Sequence, residues 1–316
     1  MTGYVVRRIV DLVFVLFGVS VLVFLMIRLI PGDAVDILLG ANTDITPERV
    51  AALRERLGLD LPVWRQYLDW LGGVLQGDLG ESVWTGRPVS EEILARLPVT
   101  LEITVLALAF ALLASFPLGI LAARARGGFG DVAVRLVSIV GLTLPSFWVG
   151  VLMLYGASIW LPAWPTIGYV PFGEDPAGNL ARMALPVLAV SSPMIAGLTR
   201  ILRSSLLEVL SLDYVRTARA KGVPQRRVFS KHALRNAMIP VVTVIGVQVG
   251  YLLSGVVVIE QVFAVPGLGR LAIGAINERN YPLVQGVILV VTAAFVVINL
   301  LVDLTYAWID PRVEIA

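Results

Sequence analysis

The chain has 316 residues, 57% of them hydrophobic and 15% charged, with a mean hydropathy of +0.84; that balance argues against a water-soluble globular fold. It contains no cysteine, which removes disulfides, thiolate metal sites and cysteine nucleophiles. A net charge of only +2 gives no general basic character suited to nucleic acid, so the position of each charge matters more than the sum.

The first apolar run, Ile9 to Ile30, follows Arg7 and Arg8. It is longer than the roughly 7 to 15 residues of a signal-peptide core, and it runs into Arg28, Pro31, Gly32 and Asp33 rather than a small-residue cleavage site. A retained transmembrane helix over 1–30 is therefore expected, with Asp11 and Arg28 near its ends reaching toward headgroups. The next segment, 31–98, is too polar to span. Thr46-Pro47-Glu48 opens one short helix through Leu57, stopped by Gly58, and Trp64 to Leu75 reads as a second, amphipathic one. Together they predict a small helical region outside the membrane.

Five further runs near the spanning length of about 20 residues follow at Val99–Ala123, Val132–Trp160, Ala184–Ile201, Ala237–Ile259 and Leu283–Trp308. The third span is expected to kink at Pro145, which removes a helix hydrogen bond. The fourth is short and interrupted by Pro186 and Pro193. In the fifth, Gly246, Gly250 and Ser254 recur every four residues, a face along which another helix can approach closely. The expectation is an all-α integral membrane protein with six transmembrane helices and a cytoplasmic tail at 310–316.

Orientation follows from lysine and arginine near the span ends. Between spans four and five stand Arg200, Arg203, Arg216, Arg219, Lys221, Arg226, Arg227, Lys231 and Arg235, against Glu208 and Asp213. That loop should be cytoplasmic, and counting back places Arg124 and Arg126, and then Arg7 and Arg8, on the same side. Both termini are thus expected in the cytoplasm and 31–98 outside.

Motifs for chemistry are missing from the sequence. There is no HExxH zinc motif, the sole histidine being His232 in the basic loop, no GxSxG elbow and no GxxxxGK[ST] phosphate loop. Glu102, Glu260 and Asp303 fall near span ends, where interfacial placement accounts for them. A non-catalytic chain with no cofactor of its own is expected.

The basic loop is the informative element. In LSLDYVRTARAKGVPQRRVFSKHALRNAMIP, Ser211 or Asp213 is placed to cap a helix start, and Gly222 with Pro224 to stop it. So short a helix is marginal in water and needs something to pack against. Tyr214, Val215, Ala218 and Val223 offer an apolar surface ringed by Arg216, Arg219 and Lys221. Two readings stand at this point: a docking knob for another protein, or a basic loop that fixes topology and touches anionic lipid.

DYVRTARAKG followed by KHALRNAMIP resembles the coupling loop of the permease subunits of ATP-binding-cassette importers, in their oligopeptide and dipeptide branch. RLIPGD at 28–33, GLDLPVWRQYLDWLGGVLQGDLGESVWTGRPV at 58–89, RLPVTLEIT at 96–104, VFAVPGLGRL at 262–271, RNYPLVQG at 279–286 and the ending NLLVDLTYAWIDPRV are similar to that branch too. The chain departs from the general family pattern in carrying Arg216 and Thr217 before the matching Ala218 and Gly222, in the distance to Pro240, and in having Asn280 where aspartate is expected. The resemblance implies a type I importer permease fold, with a core domain at 99–309 and a coupling loop at 202–236. Within it Asp213, Tyr214, Val215, Arg216, Thr217, Ala218, Arg219, Ala220, Lys221 and Gly222 would contact the ATPases. It implies a second homologous permease, two ATPase subunits carrying ATP and Mg, an extracytoplasmic solute-binding protein, and a peptide substrate, all in the cytoplasmic membrane and its lipid, with no nucleic acid. Arg28, Asp33, Pro266, Gly267 and Gly269 are candidates for an outer gate or receptor contact, ordinary interfacial polarity being the other reading of Arg28 and Asp33. Nickel, glutathione or a short oligosaccharide are the alternative solutes. A membrane enzyme or scaffold without a motor is the alternative of a different class.

Overall fold

The computed structural model describes residues 2–29, 54 and 60–309. Among them regular structure is helical: α1 (Thr2–Leu29), α2 (Val63–Leu75), α3 (Val89–Arg124), α4 (Phe129–Thr143), α5 (Ser146–Trp160), α6 (Pro176–Leu210), α7 (Asp213–Ala220), α8 (Arg235–Val262), α9 (Leu268–Asn277) and α10 (Tyr281–Ile309). A turn at Gln225–Arg227 and a π-helical stretch at Val228–Leu234 lead into α8 without a break. The expected helix from Thr46 to Leu57, the tail at 310–316 and Asp33 lie outside the described residues.

Among the described residues, four helices are long and apolar enough to cross a membrane: Val89–Arg124, Pro176–Leu210, Gln225–Leu252 and Tyr281–Leu300. Val10–Met26 forms a shorter apolar stretch within α1. The expected third span is two helices meeting at 106°. This corrects the expectation of a kink, and the cause is local: Leu144, preceding a proline, is driven to extended geometry (φ −83°, ψ 129°), and Pro145 follows it there (φ −61°, ψ 138°). The helix therefore stops and restarts.

The weakest expected span turns out to be the most buried of the long helices. α6 runs 35 residues, about 52 Å at 1.5 Å per residue, straight through both prolines. Pro193 cannot donate to the carbonyl of Ala189, four residues back; the hydroxyl of Ser192 donates to that same oxygen at 2.9 Å. The missing backbone donor is thus replaced by the adjacent side chain. At the other end Asp175 caps the helix, its carboxylate accepting from the Gly178 N–H.

The chain divides into two compact units, Met1–Thr100 with Pro266–Val297, and Leu101–Val265 with Ile298–Ala316. In the first, a core of Val23, Val89, Ile93, Leu268, Leu271, Tyr281, Val284 and Val287 is buried. The amphipathic α2 lies on α1 through an aromatic cluster: the Phe24 ring is 5.1 Å from Tyr67, edge-on, and 6.1 Å from Trp70. A narrow turn closed by the Glu81 and Pro88 bridge is tied down by buried Asn280, whose amide nitrogen donates to Ser82 Oγ and whose oxygen accepts from the Val83 N–H. An amide, having both a donor and an acceptor, satisfies this site without burying a charge.

In the second unit, small residues let helices approach. A Cβ on Gly119 would stand 3.0 Å from Leu202, one on Gly141 3.0 Å from Ala196, and one on Gly150 3.0 Å from Phe263. Gly246 and Gly250 of the expected small-residue face are buried. The Gly119–Leu202 approach brings the C-terminal thirds of α3 and α6 together. Near their other ends, Glu102 of α3 accepts from Tyr169, in a loop whose Val170 carbonyl accepts from Asn179 at the start of α6. The two helices therefore run parallel, and the chain between them must return once. α4 and α5, the bent pair, lie on that return.

Candidate functional site

α7 is eight residues long, so what holds it decides what it can do. Its start is not capped as expected: Leu212 occupies the cap position with no side-chain bond, and the Ser211 hydroxyl instead donates to the Glu208 carbonyl at the end of α6. Asp213 sits in the first turn and Arg219 in the last, each with the sign that complements the helix dipole. Its end follows the expectation. Gly222 takes φ +74°, its N–H donates to the Arg219 carbonyl, and the Val223 N–H donates to the Ala218 carbonyl. That pair of bonds is the Schellman stop, and Pro224 prevents resumption.

The apolar side of α7 is used by the chain itself. Val215 is fully buried, and Ala218 and Val223 are half-buried. The Tyr214 hydroxyl donates to the His232 carbonyl and accepts from the Asn236 amide at 2.7 Å, which fastens α7 to the π-helical stretch and the start of α8. Val215 thus faces the chain itself rather than outward, while Tyr214 keeps an exposed ring. Asp213, Arg216, Thr217, Arg219, Ala220, Lys221 and Gly222 are exposed. The face presented outward is thus basic and small, with Arg216 within 3.4 Å of Asp213 across open solvent, a pair that adds little stability.

Sequence reasoning missed the contacts that hold the base of this loop. Asp131, in the first turn of α4, is buried, and both its oxygens accept from Arg203 of α6, at 2.5 Å from Nε and 2.8 Å from Nη2. The Gly127 N–H donates to it as well, at 3.0 Å, and Arg135 stands 3.8 Å away. Arg124, at the end of α3, stacks its guanidinium 4.4 Å above the ring of Phe229 in the π-helical stretch. The signal available in sequence was a lone acid among Arg124, Arg126 and Arg135 beside a Gly-Gly turn, but its partner lies 72 residues on.

The outer candidates are scattered by function. Arg28 is an internal tie: it donates to Gln66 Oε1 of α2 and lies 3.5 Å over the Phe24 ring. Gly267 caps the start of α9, and Gly267 and Gly269 are buried, so they pack rather than present a surface; Pro266 is half-buried. Beside them the Leu268 N–H donates to Thr100 Oγ1 at 2.8 Å. An open basin of about 480 Å³ in the first unit is lined by Glu92, Arg96, Arg270, Glu278 and Asn280 among others. Glu260, expected at an interface, is fully buried at the end of α8, while the side chain of Asp303 lies outside those described. Tyr169 donates to Glu102 at 2.8 Å, and burial, reinforced by that carboxylate, pushes its phenol up to about 12.

Residues 115–315 match the family described as binding-protein-dependent transport system inner membrane component, and residues 1–104 match the N-terminal region of such membrane components. The dipeptide transport system permease protein DppB of Escherichia coli (strain K12) is 41% identical over 339 residues, covering 99% of each chain. "Probable peptide ABC transporter permease protein y4tP" of Sinorhizobium fredii is 41% identical over 311 residues, covering 98% of this chain and 99% of the relative.

Proposed function

Since this chain belongs to the binding-protein-dependent transport system inner membrane component family, we propose that it forms half of the transmembrane pathway of an ATP-driven importer of di- and oligopeptides. The exposed face of α7 is the surface an ATPase grips. A second homologous permease completes the pathway, two ATPase subunits carry ATP and Mg, and an extracytoplasmic receptor delivers the peptide. The chain itself performs no chemistry. It crosses the cytoplasmic membrane six times, α1 and the broken α4–α5 span included, with both termini and the 202–236 loop in the cytoplasm; the arginines and lysines of that loop support this orientation.

The observation that carries the reading is the way α7 is built. A basic loop whose only task was topology or lipid contact would need charge alone. Here one side chain is fully buried, a tyrosine is bonded to the π-helical stretch and to the start of α8, and a left-handed glycine stands two residues beyond the last helical residue. Such a helix is a rigid handle: force on its outer face passes into α6 and α8 without being lost in loop bending. The peptide assignment is supported by the names of both relatives.

The test is purification of the chain from native membranes followed by reconstitution with its receptor and a mixed dipeptide pool read by mass spectrometry. The reading predicts a co-purifying ATPase and peptide uptake that requires ATP. Uptake without ATP, or a complete assembly containing no ATPase, would contradict it.

A further inference from the structure

The two arms that carry α7 are both tied to one short turn, the one joining α3 to α4. On the incoming arm, Arg203 lies seven residues before the end of α6, about 10 Å of continuous helix at 1.5 Å per residue. It holds Asp131 through two parallel bonds, a fork geometry that fixes angle as well as distance. On the outgoing arm, Phe229 lies beneath Arg124, and it sits in a π-helical stretch, a geometry that recurs at functional sites. Between Arg124 and Asp131, Gly127 adopts φ +75° and donates its N–H to Asp131, so the turn is closed on itself.

We propose that this turn is the linkage through which displacement of α7 reaches the broken span, with Asp131 and Arg203 as its positioning residues. α4 is bound to α6 at two levels, at Asp131 and again where Gly141 meets Ala196. It therefore moves with α6 as one body. α5 packs on both α6 and α8, its Gly150 meeting Ala189 of α6 as well as Phe263 and Ile259 of α8. The extended residues Leu144 and Pro145, where the two helices meet at 106°, separate α4, which the turn holds directly, from α5, which it does not.

The inference rests on the reading of α7 as the ATPase grip, and the experiment separates the two. The importer, purified with its ATPases and receptor, is reconstituted with Asp131→Asn, Arg203→Lys or Arg124→Gln, and ATP hydrolysed is measured per dipeptide imported. Asp131→Asn keeps the shape of the side chain while removing its charge. The linkage predicts that the ATPases stay bound and hydrolysis continues, while ATP per peptide rises on the order of tenfold in the first two variants and less in the third. An unchanged ratio in a working importer overturns the linkage and leaves the docking reading intact. Loss of the ATPases from all three variants marks a merely structural contact and overturns it equally. Import by the wild-type chain without an ATPase overturns both.

Discussion

Truncating Val215 to alanine tests whether α7 is held by its own chain. Val215 is the one fully buried side chain of an eight-residue helix, and its replacement removes two methyl groups from a packed site. At about 0.8 kcal/mol per buried carbon plus a cavity contribution, the loss is about 2 kcal/mol. An isolated helix of this length has no stability in reserve, so the whole loss falls on the docked, helical state of the loop. A change of about 2 kcal/mol multiplies the open population by roughly thirty. Hydrogen exchange of the amides from Val215 to Val223, measured by mass spectrometry in detergent or nanodiscs, should quicken by about that factor, while amides in the middle of α6 keep their protection. Peptide uptake should fall with it. Unchanged exchange from Val215 to Val223 would refute the argument that this buried contact, rather than a partner, gives the helix its shape.

Three other outcomes follow from the geometry. Ala264 and Arg279 both occupy the left-handed position after a helix end, at φ 54° and φ 52°, so Ala264→Gly and Arg279→Gly should each stabilise the protein by about 1 kcal/mol, read as a rise in melting temperature in detergent. Ser192→Ala removes the hydroxyl that satisfies the carbonyl left open by Pro193; it should cost about 1 to 2 kcal/mol, whereas Ser192→Thr should not. The folded-state pKa of Tyr169, about 12, lies above its ordinary value of 10.0; its contribution to stability is therefore full below pH 10 and lost as the pH rises through 12. Tyr169→Phe should flatten that alkaline loss, and an equal loss in both proteins would show that the phenol is not responsible.

How much of this was legible in the sequence depended on how local each signal was. Gly222 and Pro224 announced the end of α7 because a left-handed residue and a missing donor act within three residues of where they stand. Apolar runs marked the spans because burial in lipid needs length and little else. The break at Leu144 and Pro145 was visible as a proline but not as a right-angle turn, since its size depends on what each half packs against. Pro186 and Pro193 made α6 look short, for the converse reason: Ser192 supplies a donor that no hydropathy window registers. The apolar side of α7 was recognised, but not that Val215 would be buried by the chain itself, since the residues that cover it come from outside the helix. Arg203 was present in the charge count used for orientation and Asp131 was not; their pairing is a property of two helices running side by side.

The most direct test of the central claim uses the absence of cysteine. A single Ala220→Cys substitution on the exposed face of α7 carries a photo-crosslinker in the assembled transporter in native membranes, and the adducts are identified by mass spectrometry. The account predicts a dominant adduct with an ATP-binding subunit, abolished when Arg219→Glu is added on the same face. Adducts with lipid alone, whatever the nucleotide present, would contradict it.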